Sequence, residues 1–108
     1  MNRGDIYFCD FGNPIGHEQG FRRPAVIISH DEMSRHGLPI VLPITRTRRG
    51  YATHVELDGV LPVTSYVQCE QIRTVSANRL IRRVAAVDNV RVAQIELILR
   101  RILGFQGK

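Results

Sequence analysis

The chain has 108 residues, 44% hydrophobic and 23% charged, a balance that excludes intrinsic disorder and suits one domain over residues 1–108 with one modest core. Its formal net charge is +5 and 14 of its 15 basic residues are Arg, which favours a nucleic acid or an acidic protein as partner, with genome composition bias accounting for part of the Arg excess. No signal peptide or long apolar span is legible, so the expectation is a cytoplasmic protein with no membrane partner.

Residues 4–11 alternate as a strand, with Ile6 and Phe8 on one side and Tyr7, Cys9 and Phe11 on the other. Residues 12–23 carry Gly12, Pro14, Gly16 and Gly20 and read as a long loop. The apolar, β-branched run 24–29 predicts a strand buried on both faces. A short helix follows to about Arg35, capped by Ser29 or Asp31 and ended by Gly37. Leu38 to Thr45 is a further strand, although Pro39 and Pro43 disfavour a central position for it. Residues 46–52 form a basic loop, and His54 to Leu57 a short strand before the Asp58-Gly59 turn. Residues 63–68 and 70–75 read as two strands or one bent one, and 80–87 as the last strand.

From Asp88 to Leu103 the period becomes helical. Val92, Ile95, Leu99 and Ile102 form one apolar stripe, widened by Ile98 and Leu103. Asp88 is the expected N-cap, Glu96 and Arg100 an i,i+4 pair, and Gly104 the C-cap. Short strands with one terminal helix predict a small, mainly β fold with a bent, half-open antiparallel sheet. Cys9 and Cys69 have no metal-ligand spacing and lie in strand-like runs, so they read as buried reduced thiols and no metal is expected.

Three stretches hold more polar chemistry than a strand core requires. The loop carries Gly16-His17-Glu18-Gln19-Gly20 and then Arg22-Arg23-Pro24, in which the proline keeps Arg23 extended. Pro43-Ile44-Thr45 leads into Arg46-Thr47-Arg48-Arg49-Gly50-Tyr51, and Gln68-Cys69 leads into Glu70-Gln71-Ile72-Arg73-Thr74. Each has a plain structural reading: a hydrogen-bonding loop His, a surface Arg at a strand start, a strand-end Thr, a solvated charged loop.

Taken together, from Arg3-Gly4-Asp5 to the terminal helix, their order and spacing closely resemble the MazF/PemK (Kid) toxins, the ribonuclease halves of bacterial toxin–antitoxin pairs. The resemblance implies an SH3-like half-open β-barrel with a C-terminal α-helix and a homodimer whose groove uses both subunits. It implies sequence-specific, metal-independent cleavage of single-stranded RNA such as mRNA, without a cofactor. Attack by the 2′-OH would leave 2′,3′-cyclic phosphate and 5′-OH ends. The implied partner is an acidic, partly disordered MazE-like antitoxin that folds on binding, with DNA reached only through it.

The resemblance also assigns residues. Arg23 and Thr45 match the catalytic pair of the MazF branch, while His17 and Glu70 match the Kid branch. Where that branch has a catalytic Arg, this chain has Gln68. Such cleavage needs a base at the 2′-OH, an acid at the 5′ oxygen and cations around the phosphorane. His17, Glu18, Arg23, Thr45 and Glu70 supply these types, with Glu70 expected to orient His17, act as a base or pin an Arg. Arg23 keeps its proton near neutrality and is read as stabilising the phosphorane. Glu18, Gln19, Arg22, Arg46, Arg48, Arg49 and Gln68 are candidate RNA contacts, Tyr51 a stacking surface and Gln71 a reader of base edges.

The sequence admits two alternatives. One is a CcdB-like toxin of the same fold that binds DNA gyrase, although this chain has no Trp and so lacks that family's C-terminal Trp-Gly-Ile. The other is a non-catalytic SH3-like nucleic-acid-binding module, which would bind in a salt-sensitive manner without cleaving.

Overall fold

Residues 1–105 are described by the computed structural model. Seven strands follow in chain order: β1 (Asp5–Asp10), β2 (Arg22–Ile27), β3 (Ile40–Thr45), β4 (His54–Leu57), β5 (Ser65–Gln68), β6 (Arg73–Thr74) and β7 (Leu80–Ala86). Helix α1 (Asp31–Arg35) lies between β2 and β3, and α2 (Asn89–Ile102) comes last. The sheet is antiparallel, in the order β4-β5-β3-β2-β1-β7, with β6 paired to β3. β4 and β7 are its edges, so it does not close, which is the expected half-open, SH3-like arrangement with a C-terminal helix.

Strand alternation sorts the side chains into two clusters. Ile6, Val26, Leu42, Ile44, Val55, Leu57 and Val67 pack with Ile95 and Leu99 of α2. Residues of the other parity, Cys9, Ala25, Ile27 and Val41, join Phe11 and Val75 in a second cluster. β2 is therefore buried on both faces, as its unbroken apolar run predicts, with Ala25, Val26 and Ile27 inaccessible to solvent. Both cysteines are buried free thiols, and burial pushes their pKa up to about 11 for Cys9 and about 12 for Cys69.

Several boundaries depart from expectation for identifiable reasons. β2 begins at Arg22, because its pairing with β1 continues through Arg23 and Arg22, opposite Cys9 and Asp10. β3 is central despite its proline. Pro43 still pairs with β2 at Ala25, and β5 takes over from Ile44, so the missing N–H falls where the strand changes partner. Cys69–Gln71 forms a 3-10 turn, which divides the 63–75 stretch into β5 and β6.

The helices show three corrections. His30, not Ser29 or Asp31, caps α1, accepting from the Glu32 N–H, while Ser29 bonds the Ser34 hydroxyl at 2.9 Å and the Ile40 N–H at 3.0 Å. Glu96 pairs with Arg3 rather than Arg100, which ties α2 to the chain's first residues. The buried stripe of α2 stops at Leu99, leaving Ile102 37% and Leu103 50% exposed. Asp88 does cap α2, accepting from the Arg91 N–H at 2.8 Å. Among the described residues no helix is long and apolar enough to cross a membrane.

Candidate active site

The Gly-rich loop between β1 and β2 is held by its own backbone. Phe11 N–H donates to Phe21 O at 2.9 Å and Phe21 N–H to Gly12 O, which closes the loop at its base. Phe21 adopts φ 61°, an uncommon conformation for a non-glycine residue. Beside it Gly20 lies against Pro14, so that a Cβ there would sit 2.4 Å from the proline ring. Glu18 folds back to accept from the Ile15 N–H at 2.9 Å, which braces the loop.

Gln71 fastens this loop to the 3-10 turn. Its Nε2 donates to His17 O at 2.9 Å and its Oε1 accepts from Gln19 N–H at 3.3 Å. Both ends of the amide serve loop backbone in this structure. The clamp brings His17 and Gln19 together with Arg49, Tyr51, Gln68, Glu70 and Gln71 around a cavity of about 320 Å³.

Glu70 does not orient His17. Its Oε1 accepts from the Thr53 hydroxyl at 2.8 Å and its Oε2 pairs with His54 Nε2 at 2.9 Å. Burial would raise its pKa, but the hydrogen bonds from His54 and Thr53 outweigh that and hold the carboxyl below its ordinary value. Glu70 is therefore an anion with both oxygens engaged, a poor base and a good anchor. His54 is the residue that sequence reasoning missed. It opens a short strand and reads as one polar position among several, yet its side chain is only 4% exposed. Tyr51 meets it edge-on with ring centroids 5.1 Å apart.

Arg23 and Thr45 lie on the same face of the sheet as His54 and Gln68. The β2–β3 register pairs Ala25 with Pro43, so two residues on Arg23 comes across from Thr45. Gln68 pairs with His54, and Thr45 with Tyr66. All share the parity opposite the α2 cluster. Arg23 Nε donates to Gly20 O at 3.0 Å, which leaves its terminal amino groups for a ligand. Burial draws its pKa below the ordinary guanidinium value. Thr45 is buried and its Oγ1 accepts from Thr47 N–H at 3.2 Å, so its hydroxyl proton is available to donate. Neither residue lines the His17 cavity.

The remaining candidates spread outward. Arg22 extends to Asp10 at 3.6 Å. Arg46, Arg48 and Arg49 are exposed in the loop after β3, and only Arg49 reaches the cavity. Arg73 stacks on the Phe11 ring at 5.3 Å.

The fold and the sequence have known relatives. Residues 2–103 match the model of a family described as PemK-like, MazF-like toxin of type II toxin-antitoxin system. Endoribonuclease EndoA of Bacillus subtilis is 32% identical over 106 residues, covering 93% of this chain and 91% of that protein. MazF from Deinococcus radiodurans superposes with a TM-score of 0.86 at 28% identity, covering 96% of each chain. A mycobacterial endoribonuclease in complex with its cognate antitoxin gives 0.84 at 27% identity, covering 100% of this chain and 99% of that one.

Proposed function

The chain belongs to the family of PemK-like, MazF-like toxins of type II toxin–antitoxin systems, and from that premise we propose a site assignment for its activity. It is an endoribonuclease toxin, as its relatives are named. Its substrate is single-stranded RNA, cleaved by attack of the ribose 2′-OH on the adjacent phosphate. The products are a 2′,3′-cyclic phosphate and a 5′-OH, so RNA is cut and DNA, which lacks the nucleophile, is not. The observation that carries the assignment is the shared face, on which Arg23 comes across from Thr45 and which also carries Gln68 of the His17 cavity.

Arg23 stabilises the phosphorane. Its guanidinium stays charged near neutral pH even with the pKa lowered by burial, and its Nε bond to Gly20 fixes the fork. Thr45 donates its hydroxyl to a phosphate oxygen. His17, exposed and held only through its backbone, moves the proton at the 2′-OH or the 5′ oxygen. Glu70 fixes His54 and Thr53 at the cavity wall. Charge at the phosphorane is met by Arg23, with no step routed through a metal. The protein works in the cytoplasm as a homodimer, and an acidic MazE-like antitoxin covers the Arg-rich face until it is lost.

The test is incubation of the purified protein with a long unstructured RNA in EDTA, with end mapping. Discrete cuts with cyclic phosphate ends are expected. Removing an oriented donor at developing charge costs about 10²–10³ in rate, so folded Arg23→Ala and Thr45→Ala should fall by that order. Arg23→Lys should not restore the rate, since an ammonium lacks the planar fork. Binding without any cut by the folded wild type would instead select the non-catalytic module.

A further inference from the structure

Among the described residues every positive φ belongs to a glycine except that of Phe21, at 61°. A bulky side chain is a costly choice in that region, and glycine would close the same loop without strain. The apolar core does not explain the choice either. Phe21 joins neither hydrophobic cluster and is 61% exposed. A large aromatic ring is thus held in a strained backbone and presented to solvent, beside the residues of the proposed site.

The backbone of Phe21 is pinned from both sides. Its carbonyl accepts from the Phe11 N–H at 2.9 Å and its N–H donates to Gly12 O at 2.6 Å. The Gly20–Phe21 peptide unit is planar, so that N–H and the Gly20 carbonyl that receives Arg23 Nε at 3.0 Å belong to one rigid group. Phe21 therefore keeps a set relation to the guanidinium assigned to the phosphorane. Its ring lines an open depression of about 650 Å³ with Asp10, Gly12, Asn13 and Arg22. Two cations meet one carboxylate there: Arg22 lies 3.6 Å from Asp10, and Arg79 Nη1 donates to Asp10 O at 3.2 Å. An exposed ring among guanidinium groups suits a single-stranded nucleic acid, whose bases stack while its phosphates meet the cations. The rigid link to Arg23 favours RNA over a protein as the occupant.

We infer that Phe21 is an RNA-binding residue of this site, its ring stacking one nucleobase that flanks the cut while the adjoining phosphate meets Arg22. Stacking engages the π-face that every base has, so Phe21 adds affinity without choosing a sequence. The left-handed backbone aims the ring, and a residue kept only to close the loop would be glycine. The inference rests on the ribonuclease reading above.

The experiment uses an RNA that carries a 2′-deoxy nucleotide at the mapped cut, so that it binds without being cleaved. The fluorescent base 2-aminopurine, which stacking quenches, is moved through the positions on either side. Wild type should quench it at one position near the cut, Phe21→Tyr should keep that quench and Phe21→Gly should abolish it. Phe21→Gly should also weaken affinity by about fivefold to 150-fold, the usual worth of a stacked base. Glycine relieves the conformation at φ 61°, so the urea midpoint of that variant should equal or exceed the wild-type value, which separates binding from folding. An abasic nucleotide at the quenched position should cost wild type as much as Phe21→Gly does, and the two losses should not add. Unchanged affinity in Phe21→Gly, fully additive losses, or no quench at any position overturns the inference and leaves the ribonuclease standing. A lower sedimentation coefficient of Phe21→Gly without RNA assigns the ring to a second copy of this chain and overturns it too. Absence of cleavage by wild type on every RNA removes both.

Discussion

Glu70 shows how little of a residue's role lies in its own identity. The carboxylate and its place after β5 are legible in the sequence, but its partner is not. His17 and His54 are both histidines of the sequence, and only the fold brings His54 to 2.9 Å while Gln71 holds the His17 backbone instead. The consequence is a stability that depends on pH. The folded-state pKa of Glu70 lies below its unfolded value, so the stabilisation is complete above about pH 4.3, the ordinary Glu pKa, and is lost as pH falls through the folded value. Acid titration of unfolding free energy should therefore show a shallower decline below that pH in Glu70→Gln than in wild type. Identical slopes would mean that Thr53 and His54 confer nothing on the ionised form.

Elements were legible where a period carried them and opaque where an environment decided. The alternation of β1, the apolar run of β2 and the helical period of α2 all survive, because burial needs one periodicity per element. The end of α2 does not follow its stripe, since Ile95 and Leu99 pack into the main cluster and Ile102 does not. The two positions should separate under mutation. Ile95→Ala leaves a cavity in the main cluster and should cost about 2–5 kcal/mol, whereas Ile102→Ala should stay within about 0.5 kcal/mol; urea unfolding of both variants measures the contrast. The loop before β2 offers a second contrast. Its glycines announce a loop, but only the fold shows that Gly20 abuts the ring of Pro14, which cannot swing aside. Gly20→Ala should destabilise by about 1–3 kcal/mol, the usual range for overpacking. It should also lower cleavage, because Gly20 O receives Arg23 Nε. Gly16→Ala lacks that clash, having nothing within 4 Å of its Cβ, and serves as the control for strain at positive φ.

At the scale of the molecule, the composition and the site meet in the distribution of charge. The net charge of +5 is carried almost wholly by Arg, and many of these are committed: Arg3 to Glu96, Arg83 to Asp5, Arg91 to Asp88, Arg82 to the Phe8 ring. Arg46, Arg48 and Arg49 are not. They are exposed, follow Thr45 directly, and have no acidic partner among the described residues. A cationic loop held unpaired beside the proposed site is what a polyanion neutralises. Each single-strand phosphate engaged adds about 0.7 to the steepness with which log affinity falls against log salt. Binding of an RNA made uncleavable by a 2′-deoxy substitution at the cut should therefore weaken steeply with salt. Arg48→Ala, which leaves the cavity lining intact, should flatten the slope by about 0.7 without moving the cleavage position. If the slope is unchanged in Arg48→Ala and in the triple Ala variant of the loop, the backbone is gripped elsewhere on the Arg-rich surface. A slope that flattens in the triple variant alone would mean that Arg46 or Arg49 carries the contact, and the loop would still be the phosphate grip.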